Sequence, residues 1–566
     1  MNHKSIGLAQ ALVCTLALSL STDAQNTPGE VLSQAKMSSS TFPLPTVLRD
    51  EGQFGGALAN IGDLDGNGAP DLAVGAPGDD DGGNSRGAVW IVFMEADGTS
   101  LLAQKISNLD GNFGATLDDL DRFGASLAPL GDIDGDGLIE LAVGAPGDDD
   151  GASSAGAVYV LSLDVDGTVD SFQKISALSG GFSGGLDSQD SFGSSLAAIG
   201  DLSGDGISEL VSGAPGDDDG GSSRGSAWVL FLDSSAVVTD FQKISSVVGS
   251  FTGMLDDFDQ FGNSLAAPGD IDGDGVEDVV VGAFGDDDGG PSHGAVWILF
   301  LNPQGTVDSF TKISSTSGNF GGTIDNGDAF GVSVASLSDI DGNGVSDLGI
   351  GVLRDDDGGG PSRGAVWICY MDSAGAVRGQ VKISQTSGGF TGSLADFDQF
   401  GSAITGIGDL DGDGNEDIVV GALNDDDGGT DRGAFYTLFL EGAFQAAVVD
   451  RPSNNISCMT NGNTPRIGNS WLVLRDSGPS MGDTYLIGQM QPFPSPIVFP
   501  FGELVVDITS PTVFVDQLPG GPGMPNSHNL PVPNDAMFAG VVIYVQGLRV
   551  GPPLELCNAF DVTLGF

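Results

Sequence analysis

Basic residues, glutamate, histidine, cysteine and long apolar runs are all scarce in this chain. Lys and Arg together number 19 against 78 Asp and Glu in 566 residues, for a formal net charge of −59. Such a balance excludes nucleic acid and anionic membrane as natural partners, because both are polyanions; cations and basic surfaces are the counterparts. The acid is itself one-sided, with 68 Asp against 10 Glu. A chain acidic only for solubility has no reason to avoid Glu, so the bias points to Asx turns and to chelation by short carboxylates. Of the 3 histidines, His3 is near the N-terminus, His293 stands where other repeats carry Arg, and His528 lies in a Pro/Asn-rich loop. No Ser/His/Asp set, Cys/His pair, HExxH or phosphate loop is suggested. Of the 4 cysteines, Cys369 falls where other repeats have Leu161, Leu230, Leu299 and Leu438, which reads as a buried thiol. Cys458 and Cys557 bracket the C-terminal region and could pair in an oxidising compartment. The N-terminal apolar run, Ile6 to Leu20, contains Cys14, is too short to span a membrane, and is followed by Thr22-x-Ala24. Residues 1–24 therefore read as a secretory signal, and no other segment could cross a membrane.

Glycine, by contrast, is abundant at 91 residues, and it marks the turns of a repeat. FG pairs begin at Phe54, Phe123, Phe192, Phe261, Phe330 and Phe400, a step of 69 residues that is 70 once. A fixed period of that size signals a repeat architecture. Within a unit, FG leads into a short strand A, an Asp/Gly loop, strand B (DVVVGAF from Asp278), the turn GDDDGG, strand C (AVWILF and its counterparts) and strand D, FQKIS or FTKIS. Four short strands separated by Gly/Asp turns describe one blade of a β-propeller. The strand D lysine recurs at Lys36, Lys105, Lys174, Lys243, Lys312 and Lys382, so the chain opens with a D strand and its sixth unit lacks one. The Lys36 strand is thus expected to complete the last blade, giving an all-β, six-bladed propeller over residues 25–442. In every unit strand C carries an aromatic, Trp90, Tyr159, Trp228, Trp297, Trp367 or Tyr436, expected to pack between blades rather than to stack on sugar.

The A–B loops carry the chemistry. Counted from the first Asp, side-chain oxygens recur at positions 1, 3, 5 and 9, with Gly at 4 and 6. The position 7 backbone carbonyl is a further donor. The six candidate sites are Asp63, Asp65, Asn67, Ala69 and Asp71; Asp132, Asp134, Asp136, Leu138 and Glu140; Asp201, Ser203, Asp205, Ile207 and Glu209; Asp270, Asp272, Asp274, Val276 and Asp278; Asp339, Asp341, Asn343, Val345 and Asp347; Asp409, Asp411, Asp413, Asn415 and Asp417. An all-oxygen set without His or Cys suits Ca²⁺ better than zinc or magnesium, at about one ion per blade. Ser203 in place of the second Asp weakens the third site. The bland alternative is that these are only Asx/Gly turns, but six copies in register make it the poorer reading.

With FG, DxDGDG and GAP (Gly75-Ala76-Pro77, Gly144-Ala145-Pro146, Gly213-Ala214-Pro215) in place, the chain resembles the FG-GAP repeat family, which includes the integrin α-subunit propeller. The resemblance covers about residues 30–442, and GAP decays to GAF, GVL and GAL in the last three units. It implies a propeller with calcium in the A–B loops and a part in extracellular adhesion or ligand binding. The departures are six units rather than seven, the triple-Asp turns, and no visible integrin-like companion domain.

Because strands alternate in direction, the A–B and C–D turns share one face, and the B–C turns and blade connections share the other. The second face carries the triplets beginning at Asp79, Asp148, Asp217, Asp286, Asp355 and Asp425, with connection acids such as Asp118, Asp121, Asp190 and Asp259. Three readings are open there: further cations at the triplets, a basic or calcium-bridged ligand, or a solvated rim partly offset by Arg86, Arg224, Arg363 and Arg432. Residues 443–566, rich in Pro and Asn, read as a β-sandwich. Its closing pattern looks like a terminal all-β module of secreted bacterial proteins. Altogether the sequence points to a secreted or cell-surface binding or adhesion module with an extracellular protein or glycan ligand. A carbohydrate-active enzyme, a polysaccharide lyase or hydrolase, on the same scaffold is the rival, since paired carboxylates are plentiful.

Overall fold

A computed structural model describes residues 27–41, 48–357 and 359–442, and beyond them the backbone of strands between Val448 and Thr563. Every regular element among the described residues is a strand, so no helix there is long and apolar enough to cross a membrane. Six four-stranded antiparallel sheets account for the repeats, each in the order A-B-C-D. The second blade is typical: Leu127–Gly131, Glu140–Ala145, Ala157–Leu163 and Val169–Ser176. Strand A of each blade touches strand A of the next, and the first touches the sixth, so the ring is closed with the A strands innermost.

The sixth sheet takes strand D from the other end of the repeat region, as the lysine count requires. Val31–Ser38 pairs antiparallel with Ala434–Leu440, Lys36 opposite Tyr436. The same register sets Lys105 opposite Trp90 and Lys174 opposite Tyr159.

Burial follows from position in the ring. Every residue of the second blade's strands B and C is buried, because neighbouring blades cover both faces. Those strands accordingly read as unbroken apolar runs, whereas strand D is exposed in its first half. The core lies between blades: Ile91, Phe93 and Ile106 of the first blade pack with Phe113, Phe123, Leu141 and Tyr159 around the second. All six strand C aromatics are buried, as expected. So is the Cys369 thiol, which burial pushes far above its ordinary range.

The close approach of blades explains the two signature motifs. Gly124, the glycine of an FG pair, has φ +88, and a Cβ there would lie 2.4 Å from the Ala88 carbonyl oxygen. Its own carbonyl oxygen would sit 2.0 Å from a Cβ built on Gly75, the glycine of GAP in the preceding blade. Only two facing glycines let the backbones meet there.

In the C-terminal region, strands pair antiparallel into a five-stranded sheet (Val448–Asp450, Glu555–Thr563, Val542–Val550, Asp483–Gln489, Phe514–Pro519) and a three-stranded one (Met459–Asn461, Ser470–Asp476, Pro525–Pro531), with a two-stranded ribbon besides. His528 therefore sits in a strand, opposite Val473, not in a loop. Pro525 and Pro531 occupy its ends, where a missing N–H costs the ladder least. Side-chain packing in this region, with the expected sandwich core and any Cys458–Cys557 bond, lies outside the described residues. The same holds for residues 1–26 with the signal and Cys14.

Candidate metal centres

Each A–B loop is a hairpin tied down by its own carboxylates. The position 1 Asp accepts the N–H of the position 6 glycine, as in Gly68 to Asp63 at 3.0 Å and Gly137 to Asp132 at 2.9 Å. The position 5 side chain accepts the N–H of position 7 at 2.7–2.9 Å in all six loops, from Ala69, Leu138, Ile207, Val276, Val345 and Asn415. Position 9 opens strand B, and its acid is buried in every blade: Asp71, Glu140, Glu209, Asp278, Asp347 and Asp417. It accepts the N–H of position 2, for example Leu64 to Asp71 at 2.9 Å and Ile340 to Asp347 at 2.8 Å. Where it is Asp, its other oxygen also accepts an N–H at the end of strand C, from Met94, Leu301, Met371 or Leu440.

These bonds gather the expected ligands. Oxygens of Asp63, Asp65 and Asp71 converge within 4.8 Å of one another, as do those of Asp270, Asp272 and Asp278, and of Asp339, Asp341 and Asp347. In the second loop the convergent set is Asp132, Asp134 and Asp136, and in the third it is Asp201, Asp205 and Glu209. Asp409, Asp411 and Asp413 make the same turn contacts in the sixth loop, with Asp417 capping Leu410.

The electrostatics ask for a cation. Burial, reinforced by neighbouring acids, pushes Asp71 up to about 6, Asp278 and Asp417 to about 7, and Asp347 to about 8. Burial likewise raises Glu140 and Glu209. Each of these two glutamates also has a buried Oε1 without a hydrogen-bond partner. A carboxylate oxygen withdrawn from water needs a donor or an ion. The donors are all oxygens, so the residues fit a hard divalent cation such as Ca²⁺.

On the opposite face the structure answers the question left open at the triplets. The first and third Asp of each clasp the strand D lysine of the same blade: Lys105 reaches Asp79 at 2.9 Å and Asp81 at 2.8 Å, and Lys312 reaches Asp286 and Asp288 at 2.7 Å. All six blades repeat the pair, with Lys36 closing on Asp425 and Asp427. The first and third Asp of each triplet thus already have an internal ammonium as counter-ion, because the Lys-opposite-aromatic register carries Nζ over the ring, 5.0 Å from the Trp297 centroid. The middle Asp caps the turn, as Asp80 does by accepting the Ser85 N–H. The lysine was legible as a blade marker, but its charge pairing was not.

Two further features escaped the sequence reading. Arg86, Arg224, Arg363 and Arg432 each hold an acid at the entry to the next blade (Asp119, Asp257, Asp396, Asp50) at 2.7–2.9 Å. In the fourth blade both partners change together, and His293 Nε2 meets Asn326 Oδ1 at 2.8 Å. Comparing the repeats column by column would have exposed that pairing, so His293 is a matched substitution. The second feature is a set of buried connection acids. Burial, and then the nearby triplet, pushes Asp121, Asp190, Asp328 and Asp398 up to about 6 and Asp259 to about 7. In the first blade Gly52 takes this place, and Arg49 reaches Asp81 at 2.6 Å instead.

The sign of the pH effect follows. The native state holds the Asp259 proton above the ordinary value of 3.8, so this group's contribution to stability is full at about pH 4 and is lost as pH rises through about 7. Asp259→Asn keeps an acceptor for the Asp256 N–H but cannot ionise. It is expected to stabilise the protein by roughly 1–3 kcal/mol at pH 8 and by almost nothing at pH 4. Urea melts at both pH values check this; an equal shift at each would refute it.

Comparison with known proteins now bears on this geometry. The sequence model of the FG-GAP repeat matches residues 54–92, 123–161 and 192–230. Integrin alpha pat-2 of Caenorhabditis briggsae is 29% identical over 254 residues, covering 43% of this chain and 19% of that protein. Integrin alpha-5 of Xenopus laevis is 31% identical over 243 residues, 42% of this chain and 20% of its own length. The chain thus spans about a fifth of the relatives it matches. A solved fungal alcohol oxidase of the AA5 family, in complex with copper, aligns at a TM-score of 0.33 with 10% identity, over 95% of this chain and 100% of that one, a level that carries no functional inference.

Proposed function

Taking as premise that these are FG-GAP repeats, closed into a six-bladed propeller and similar in sequence to integrin α chains, we propose a secreted, calcium-stabilised module for extracellular adhesion or ligand binding. On this reading residues 1–24 are a secretory signal, 25–442 the propeller and 443–566 a separate β-sandwich domain. The observation that carries calcium is the buried position 9 carboxylate in all six loops, bonded to its loop and raised in pKa by burial, as at Asp71, Asp278 and Asp417. Calcium supplies the charge that lets these acids stay ionised while buried; the protein's part is to hold the oxygens in place. The role is structural, because each loop fastens strand A to strand B. We read the chain as a binding protein and not an enzyme, since its carboxylates recur in every blade while glycan cleavage needs one distinctive pair.

The opposite face is the one we assign to the ligand. Leu120, Phe258 and Phe397 occupy one repeated position in the blade connections with φ of 75, 73 and 72. They are 55%, 62% and 57% exposed. Glu51, Gln189 and Gly327 take the same place at φ 62, 72 and 88, so the turn itself does not require a large apolar side chain. Large apolar side chains held out in water at three of these turns give this face a surface suited to contact with something else. Replacing both phenylalanines by glycine relieves the strain, so the variant F258G/F397G should melt no lower than the parent. Its capture by immobilised extracellular-matrix proteins or glycans in calcium should fall about tenfold or more. Capture equal to the parent's would remove this face from the proposal.

A further inference from the structure

We infer that the fifth metal loop carries its own cation: the Arg378 guanidinium stands against Asp341 in place of an ion, so the propeller takes five calcium ions and not six. This rests on the calcium reading above. Arg378 Nη1 lies 3.1 Å from Asp341 Oδ2. In the other loops with Asp at this position, only Oδ1 accepts a hydrogen bond, from the N–H two residues on: Asn67 to Asp65, Asp136 to Asp134, Asp274 to Asp272 and Asp413 to Asp411. Asp341 makes that bond too, from Asn343, and then gives its remaining oxygen to arginine. The atom that elsewhere is left for a metal is here already paired.

The arginine is particular to this blade. Counted from the strand D lysine, its counterparts are Leu32, Leu101, Asp170, Thr239 and Asp308, none of them cationic. The first loop provides an internal control. Its side-chain donors, Asp63, Asp65, Asn67 and Asp71, are the same types in the same order as Asp339, Asp341, Asn343 and Asp347. Both asparagines donate Nδ2 to a strand C carbonyl at 2.9 Å, Met94 in one and Met371 in the other. The two loops differ in their cover: Asp63 and Asp65 are exposed, whereas Asp339 and Asp341 are half-buried. A guanidinium is planar, always charged, and directs its donors at a carboxylate oxygen, so it pairs with Asp341 without the closure a metal requires. A bound divalent ion next to it would face a fixed positive charge at short range.

The test is a calcium count on the purified protein by titration calorimetry and by equilibrium dialysis, comparing the parent with Arg378→Gln. The parent should bind five equivalents, four of like affinity and a weaker one at the loop that carries Ser203, with any sixth at least about tenfold weaker than the four; Arg378→Gln should bind six, the new one with the affinity of the four. Asp339→Asn should leave the parent's count at five but return Arg378→Gln from six to five. Six equal sites in the parent, or a count unmoved by Arg378→Gln, would overturn the inference while leaving the calcium reading standing. Absence of calcium binding in both proteins would overturn the two together. Melting in EDTA verifies that each variant is folded.

Discussion

Stripping calcium with EDTA is expected to lower the unfolding midpoint by about 10 °C or more, the largest effect of any change of solvent. Each occupied loop adds stability according to how far the free calcium exceeds its dissociation constant, about 1–3 kcal/mol between tenfold and hundredfold excess. Several loops on one cooperative ring multiply that figure. Without the ion, buried acids such as Asp71 and Asp278, pushed up to about 6 and 7, must either take up protons or stay charged out of water. The loss should therefore be worse at pH 8 than at pH 5.5, since protonation partly substitutes for the metal at the lower pH. Differential scanning calorimetry with and without chelator at both pH values measures it. A midpoint indifferent to EDTA would reduce the loops to Asx/Gly turns and end the calcium proposal.

Removing residues 27–38 is expected to abolish cooperative folding of the propeller. The deletion strips strand D from the sixth sheet and leaves strand C there, Ala434–Leu440, buried along its whole length in the intact ring, as an open edge. Unpaired backbone groups on an apolar edge are a template for aggregation. Asp425 at the same time loses the Lys36 ammonium, which lies 2.6 Å away. Leaving a buried carboxylate unpaired costs about 3–5 kcal/mol by itself. Circular dichroism melts and size-exclusion chromatography give the readout. A monomer with a sharp transition near the parent's midpoint would show that the ring closes without this strand.

Much of this architecture was legible because a repeat states its own register. The FG and lysine positions counted the blades and named the strand that closes them, and the Asp spacing marked the six loops residue by residue. What stayed hidden are side-chain contacts between segments far apart in sequence, which the spacing of motifs does not display. The Lys105 pairing with Asp79 and Asp81 joins strand D to the B–C turn, 26 and 24 residues apart, and nothing in either segment alone requires it. Asp121 reads as one more acid on an acidic face, yet it is only 3% exposed, because the connection folds under the neighbouring turn. Arg378 reads as one basic residue among many polar ones until the sheet brings it beside a loop 37 positions earlier. Only the strand-opening acids betrayed their burial in advance, through their place at the head of an apolar run.

The borrowed strand of the sixth sheet also imposes an order of events on biosynthesis. Val31–Ser38 leaves the ribosome first, and its partner Ala434–Leu440 follows some 400 residues later. At about 5–20 residues per second, the opening segment waits tens of seconds for its mate while the intervening sheets take shape. Throughout that interval the growing fan presents a raw margin at each end. A chain whose first strand waits so long has reason to be kept loose by a holding factor until the last unit arrives.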